Sequence, residues 1–162
     1  MKTYFAYGSN MDPVRLHERC PEATIIGPAK LPGYTLSWHH TARSQGGAVA
    51  DLAMAARGVV WGVLYAVPDG APWRALCKCE GFQPDRDNRF NNYLLTVVTV
   101  TPIDPEVGSV EAPVSAVTFY VNPVDLRPLP TRKYKAYLIR GARYHDLPES
   151  YISSLEAIPT IN

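Results

Sequence analysis

Charge of one sign, cysteine and long apolar runs are all scarce in this sequence, and each scarcity removes a class of function. Sixteen basic residues against fifteen acidic ones leave a formal net charge of +1, too weak a field to recruit nucleic acid or an acidic membrane surface. The expected partner is therefore a small molecule. No apolar run approaches the length of a membrane span, and the N-terminus turns polar by Ser9, so neither a membrane helix nor a signal peptide is expected and the location is read as cytoplasmic. Cys20, Cys77 and Cys79 make an odd set, and the Cys-Lys-Cys pair is too close for a relaxed disulfide. They are read as reduced thiols. A zinc site would need a fourth ligand and a second tight pair, whereas His39 and His40 are neighbours on a strand and point to opposite faces, so no metal is expected. The phosphate-loop lysine motif, the dinucleotide glycine fingerprint, the Gly-x-Ser-x-Gly elbow and the His-Glu-x-x-His helix are all missing.

What is present is a chain long enough to bury a core without disulfides or metals, expected to form one domain over residues 1–162. Fifteen prolines and eleven glycines are scattered rather than clustered, which indicates many turns in a compact fold.

The most informative stretch is Tyr4-Phe5-Ala6-Tyr7-Gly8-Ser9-Asn10-Met11, where a short apolar strand runs without a spacer into a turn of small residues. Asp12 is a good N-cap and Pro13 suits the first helical position, so a helix is expected over Val14 to Cys20, ending at Pro21. Gly8 permits close approach, and the amides of residues 8 to 11 are expected to converge toward the positive end of this helix as an anion pocket.

Beyond it, Ala23 to Lys30 and Gly33 to His39 read as strands broken at Leu31-Pro32. The alternation of Tyr34, Leu36 and Trp38 places His39 on the polar face. Residues 41 to 47 read as a loop and Ala48 to Met54 as a further strand. Val59 to Val67, apolar on both faces, reads as a central strand. Pro68-Asp69-Gly70 is a turn, Pro72 to Cys79 a short helix, and Leu94 to Thr101 and Val114 to Asn122 two strands joined by a turn rich in proline, glycine and acid. Helical spacing returns at Tyr134, Tyr137, Leu138 and Gly141 with Thr131 as cap. Asp146 and Glu149 suggest a capping box ahead of a helix whose Tyr151, Ile152, Leu155 and Ile158 share a face. The sum is an α+β fold, a mainly antiparallel, barrel-like sheet flanked by helices near both ends.

Two residues carry candidate chemistry. Ser9 has no activating base nearby in sequence and is read as a turn former with a hydroxyl donor. Glu80 follows an apolar helix and precedes Gly81-Phe82. It is either a solvated helix-end glutamate or a carboxyl whose pKa burial has raised into the range of proton transfer. Glu22, Glu106, Glu111, Glu149 and Glu156 stand in turn-like or capping contexts and are poorer candidates.

Taken together, the Tyr-x-Ala-Tyr-Gly-Ser-Asn-Met start, the Trp61-Gly62-Val63-Leu64-Tyr65 strand, the helix ending in Glu80-Gly81, the strand led by Tyr93, and the late set Tyr134, Leu138-Ile139, Gly141-Ala142, Leu147-Pro148, Tyr151 and Leu155 resemble the gamma-glutamylcyclotransferase-like family. The resemblance runs from Tyr4 to about Ile158. It implies a small mixed, mainly antiparallel β-barrel flanked by short helices, and an enzyme that releases 5-oxoproline from a gamma-glutamyl amine or amino acid without metal or organic cofactor. It also implies that Tyr7, Gly8, Ser9 and Asn10 hold the α-carboxylate and amine end of the substrate, that Glu80 is the catalytic acid/base, and that Tyr93 and Tyr134 line the pocket. A non-catalytic module that binds a gamma-glutamyl or other carboxylate ligand is the alternative. Three departures stand out. The Leu-Asp pair common before the glutamate is absent from Trp73 to Cys79. The segment Phe82 to Asn92, on the leaving-group side, is longer than is common, and its Arg86, Asp87, Asn88 and Arg89 either select the leaving group or form a solvated excursion. Asp146 replaces the usual glycine before Leu147-Pro148 and is read as an N-cap substitution without catalytic meaning.

Overall fold

The computed structural model describes residues 1–103, 111–121 and 128–161; residues 104–110 of the expected turn between the last two strands, with Glu106, lie outside them, as does Asn122 at the expected end of the second. Five strands close a barrel in the order β1-β3-β2-β4-β5, with β1 Lys2–Ala6, β2 Thr24–Ala42, β3 Gly47–Val67, β4 Tyr93–Pro102 and β5 Val114–Val121. All pairings are antiparallel except the closing one, where Tyr4 of β1 meets Val117 of β5 in parallel. The helices are α1 Pro13–Arg19, α2 Ala71–Cys79, α3 Arg132–Tyr144 and α4 Glu149–Glu156. This is the small mixed barrel with flanking helices that the sequence leads one to expect.

Strand β3 is central, pairing with β1 from Lys2↔Val67 to Ala6↔Val63 and with β2 along its length. Its Val60, Val63, Leu64 and Val67 are fully buried with Phe5, Leu31, Leu76, Leu138 and Leu155, each worth about 1.5–3 kcal/mol of transfer free energy. Two expected breaks are absent. The strands foreseen on either side of Leu31-Pro32 are one strand, because the chain passes that point through a register shift between Pro32 and Tyr34, with Gly33 at φ +80°. Likewise Ala48 to Met54 and Val59 to Val67 are parts of one strand. A further shift between Ser37 and His40 breaks the alternation of β2. His39 is partly exposed and sits beside the Ser37 hydroxyl and the buried carboxylate of Asp51, with Nδ1 3.1 Å from Oδ2.

Helix α1 begins at Pro13, as Asp12 accepts from the amides of Val14 and Arg15. Thr131 caps α3 by accepting from the Tyr134 amide, and α3 lies against the Met11-Asp12 backbone, where any Cβ on Gly141 would come within 2.4 Å of the Met11 carbonyl carbon. The capping box proposed for Asp146 and Glu149 does not form. Helix α4 is capped by Pro148 without a side-chain hydrogen bond. Asp146 instead sits at φ +51°, and the bonds Asp146 N–H to Arg143 C=O and Leu147 N–H to Ala142 C=O close the end of α3 as a Schellman motif. A glycine usual at this position is thus explained by backbone geometry. Cys20 and Cys77 are buried and Cys79 is exposed, all three free. No described helix is long and apolar enough to cross a membrane.

Candidate functional site

The turn after β1, the end of α2, the first residue of β4 and the first turn of α3 meet at one small cavity. It is lined by Tyr4, Tyr7, Gly8, Ser9, Asn10, Ala50, Glu80, Tyr93, Phe119 and Tyr134, with a volume of about 30 Å³. Every candidate site residue drawn from the sequence is in this set: Tyr7, Gly8, Ser9 and Asn10, together with Glu80, Tyr93 and Tyr134.

Each is held by a specific bond. The Tyr7 hydroxyl donates to the Phe119 carbonyl at 2.5 Å, tying the turn to β5. Tyr134 reaches across to β3, its hydroxyl accepting from the Ala50 amide at 3.0 Å, and the Tyr93 hydroxyl donates to the Ala50 carbonyl at 3.3 Å. One alanine backbone therefore places two phenols. Burial pushes the Tyr7, Tyr93 and Tyr134 hydroxyls well above or above the ordinary phenol range, so they stay protonated and act as neutral hydrogen-bonding groups.

Glu80 is the residue that ends α2, its amide bonded to the Leu76 carbonyl. Its side chain is 13 % exposed, so Glu80 is partly buried and not a solvated helix-end glutamate. Oε1 accepts from Asn10 Nδ2 at 2.8 Å and from an Arg19 guanidinium nitrogen at 3.0 Å; among the described residues, Oε2 accepts no hydrogen bond. Burial raises the Glu80 pKa above the ordinary carboxyl value, while Arg19, the Asn10 amide and Arg15 pull it back.

The anticipated anion pocket is altered in one respect. The amides of Met11 and Asp12 are spent on the turn itself, bonding to the carbonyls of Gly8 and Ser9, and the first free amides of α1 are taken by the Asp12 carboxylate. Helix α1 is therefore self-capped, and what faces the cavity is the Gly8–Asn10 stretch, with Ser9 and Asn10 buried. Arg19, Tyr4, Ala50 and Phe119 went unassigned in the sequence. Arg19 and Asn10 are nine residues apart across a helix whose register with the turn only the fold defines, and Ala50 acts through its backbone, which no residue type signals.

A cleft of about 410 Å³ opens beside the cavity and shares Glu80 and Tyr93 with it; His40, Thr41, Ser44, Lys78 and Asn92 contribute to its walls. Arg86, Asp87, Asn88 and Arg89 line neither space. Arg89 is bonded to Asp87 in an exposed pair, as a solvated excursion would have it.

A family model described as gamma-glutamyl cyclotransferase, AIG2-like, matches residues 4–145. The chain belongs to this family. Among relatives of the gamma-glutamyl cyclotransferase family, it is 25 % identical over 159 residues to the gamma-glutamylcyclotransferase of Homo sapiens and 26 % identical over 160 residues to that of Bos taurus, in each case covering 96 % of this chain and 77 % of the relative. Its fold superposes on a solved gamma-glutamyl cyclotransferase with TM-score 0.85 at 24 % identity, covering 99 % of this chain and 89 % of the other, and on YkqA from Bacillus subtilis with TM-score 0.74 at 25 % identity, covering 99 % and 56 %.

Proposed function

We propose that the protein is a gamma-glutamyl cyclotransferase in which the substrate's own α-amine attacks its γ-carbonyl, closing the five-membered ring of 5-oxoproline and expelling a free amine or amino acid. The observation that carries this reading is Glu80: a largely buried carboxyl with one oxygen pinned, the other without a bond among the described residues, and a pKa raised by burial. A group poised in that way can take a proton from the attacking nitrogen and return it to the departing one, an effect of about 10²–10⁴-fold. Because nucleophile and electrophile belong to one molecule, the remaining task is to fold the substrate correctly, and positioning of this kind supplies about 7–11 kcal/mol. Gly8, Ser9 and Asn10 hold the α-carboxylate and amine end, while the phenols of Tyr7, Tyr93 and Tyr134 shape the wall. A neutral tyrosine hydroxyl or a turn amide stabilises the oxyanion of the tetrahedral intermediate. The leaving group lies in the adjoining cleft, which shares Glu80 and Tyr93 with the inner cavity. An inner cavity of about 30 Å³ holds roughly one water, so the γ-glutamyl end widens it on entry.

The same small volume, with Glu80 already paired to Arg19, is what favours the second reading, a module that binds a carboxylate ligand without turning it over. One experiment separates the two. Wild type and Glu80→Gln are incubated with gamma-glutamyl amino acids, gamma-glutamyl amines and glutathione, and 5-oxoproline is followed by mass spectrometry. Product from the wild type alone is the expected result. Absence of product with a ligand-dependent rise in melting temperature in both proteins would favour the binding module.

A further inference from the structure

We infer that Arg19 is a positioning residue for the proposed acid/base: from the last turn of α1 it fixes which Glu80 oxygen faces the cavity and which way the Asn10 amide is turned. The inference rests on the reading of Glu80 given above and adds a residue to it.

Its basis is a closed ring of hydrogen bonds. One guanidinium nitrogen of Arg19 donates both to Asn10 Oδ1 at 2.7 Å and to Glu80 Oε1 at 3.0 Å, while Asn10 Nδ2 donates to Glu80 Oε1 at 2.8 Å and to the Tyr4 hydroxyl at 2.9 Å. A primary amide can be turned two ways, with its oxygen and nitrogen exchanged. Beside Arg19 only one is acceptable, because the other would set NH₂ against a guanidinium and a carbonyl oxygen against a carboxylate. The cation therefore selects the Asn10 orientation, and Asn10 in turn binds the same Glu80 oxygen that Arg19 does. With both donors on Oε1, Oε2 is the oxygen left for a substrate proton.

Arg19 does this from outside. It is not among the residues lining the inner cavity, and its side chain is 18 % exposed, so it acts through Glu80 and Asn10 without touching the space where a substrate would sit. The other charged or titratable groups around Glu80 are Arg15 on α1, Tyr4 on β1, Tyr7 in the turn, Cys77 on α2, Tyr93 on β4 and Tyr134 on α3, with Lys78, Cys79 and His40 on the cleft side. Of these only the arginines pull the carboxyl pKa down, Arg19 more than Arg15. Removing Arg19 leaves burial less opposed, so the Glu80 pKa rises further and the ionised base appears only at higher pH.

The test compares Arg19→Met and Arg19→Lys with wild type, using Arg140→Met as a control. Arg140 also braces α1, through a 2.6 Å ion pair to the cap Asp12, but does not touch Glu80. For Arg19→Met the expected result is a fall in kcat of up to about 100-fold from lost alignment, little change in KM, and an acid limb of the kcat/KM profile moved to higher pH; Arg19→Lys restores the limb toward its wild-type position. Arg140→Met lowers melting temperature without moving the limb. An unmoved limb in Arg19→Met, or an effect confined to KM, overturns the inference. If Arg19→Met does not fold, Arg19→Gln, which keeps a donor but no charge, takes its place. Carboxyl-carbon NMR titration of Glu80 in wild type and the Arg19 variant gives an activity-free readout. An upward shift in the variant supports Arg19's role even if no substrate turns over, whereas turnover surviving Glu80→Gln would sink the proposed mechanism and leave that titration standing.

Discussion

Ala50 and Asp51 are adjacent on β3, yet they serve two cavities of opposite character. Ala50 contributes to the small polar cavity of about 30 Å³ with its ring of tyrosines and Glu80, whereas Asp51 lines a cavity of about 450 Å³ walled mainly by Tyr34, Leu52, Met54, Val98, Tyr120 and Val121. By volume and apolar lining the second is the more conventional ligand site. By chemistry it is quiet, since its buried carboxylate is spent on structure: Asp51 Oδ1 accepts from the Val121 amide at 2.7 Å and Oδ2 faces His39 at 3.1 Å. In the small cavity, Glu80 Oε2 accepts no hydrogen bond among the described residues. The difference teaches that unspent bonding capacity in a desolvated group locates chemistry better than room does.

The sharpest way to break the comparison is to exchange the roles of the two carboxylates. Glu80→Gln should abolish 5-oxoproline release, a loss of about 10²–10⁴-fold, with the fold intact by circular dichroism. Asp51→Asn should do the reverse. With its oxygen kept toward the Val121 amide, the new NH₂ can donate to His39 only through an unprotonated Nδ1, and the Val121 bond loses its charge assistance, so a stability loss of about 1 kcal/mol is expected, measured by urea unfolding, with turnover reduced far less than in Glu80→Gln. Turnover lost equally in both variants would mean that the two cavities are one functional unit.

A smaller effect tests the tightness of the polar side. Gly8 has φ −113°, so the effect of Gly8→Ala is read mainly from the space around the added methyl. Its new Cβ would lie 3.3 Å from the Tyr134 hydroxyl and 3.4 Å from the Ala50 Cβ, filling space that a substrate needs. KM should rise about tenfold, equivalent to about 1.4 kcal/mol, while melting temperature stays near that of wild type. An unchanged KM would place the γ-glutamyl end elsewhere.

How much of this was legible depended on whether the signal was local. Asp12 and Thr131 announce their helices because a cap acts within three residues, and the turn from Tyr7 to Asn10 is recognisable as a contiguous string. Strands β2 and β3 were misdivided because a bulge at Gly33 and an alanine-rich run both look like interruptions when cross-strand partners are unseen. Arg19 was hidden by being one of sixteen basic residues, its meaning set only when α1 docks beside the end of α2. Asp146 was misread because Asp before Glu149 imitates a capping box, while its left-handed backbone exists only once α3 has ended there.

The smallest expected effect concerns the pH dependence of stability set by Glu80. Burial holds the Glu80 carboxyl pKa above its ordinary value, so the folded protein binds that proton more tightly than the unfolded chain does. The stabilising contribution of protonated Glu80 is thus complete below the unfolded carboxyl pKa and is lost as pH rises through the higher, folded one. Between those two pH values, wild type should lose stability relative to Glu80→Gln, which has no proton to release. The measurement is the difference in unfolding free energy between the two proteins across the acid range, taken at constant ionic strength. A difference growing in favour of Glu80→Gln as pH rises supports a carboxyl whose ionisation the fold resists. A difference growing in favour of wild type would mean that Arg19 and Asn10 outweigh burial, making Glu80 an ordinary structural ion pair and removing the distinction on which its proposed role depends.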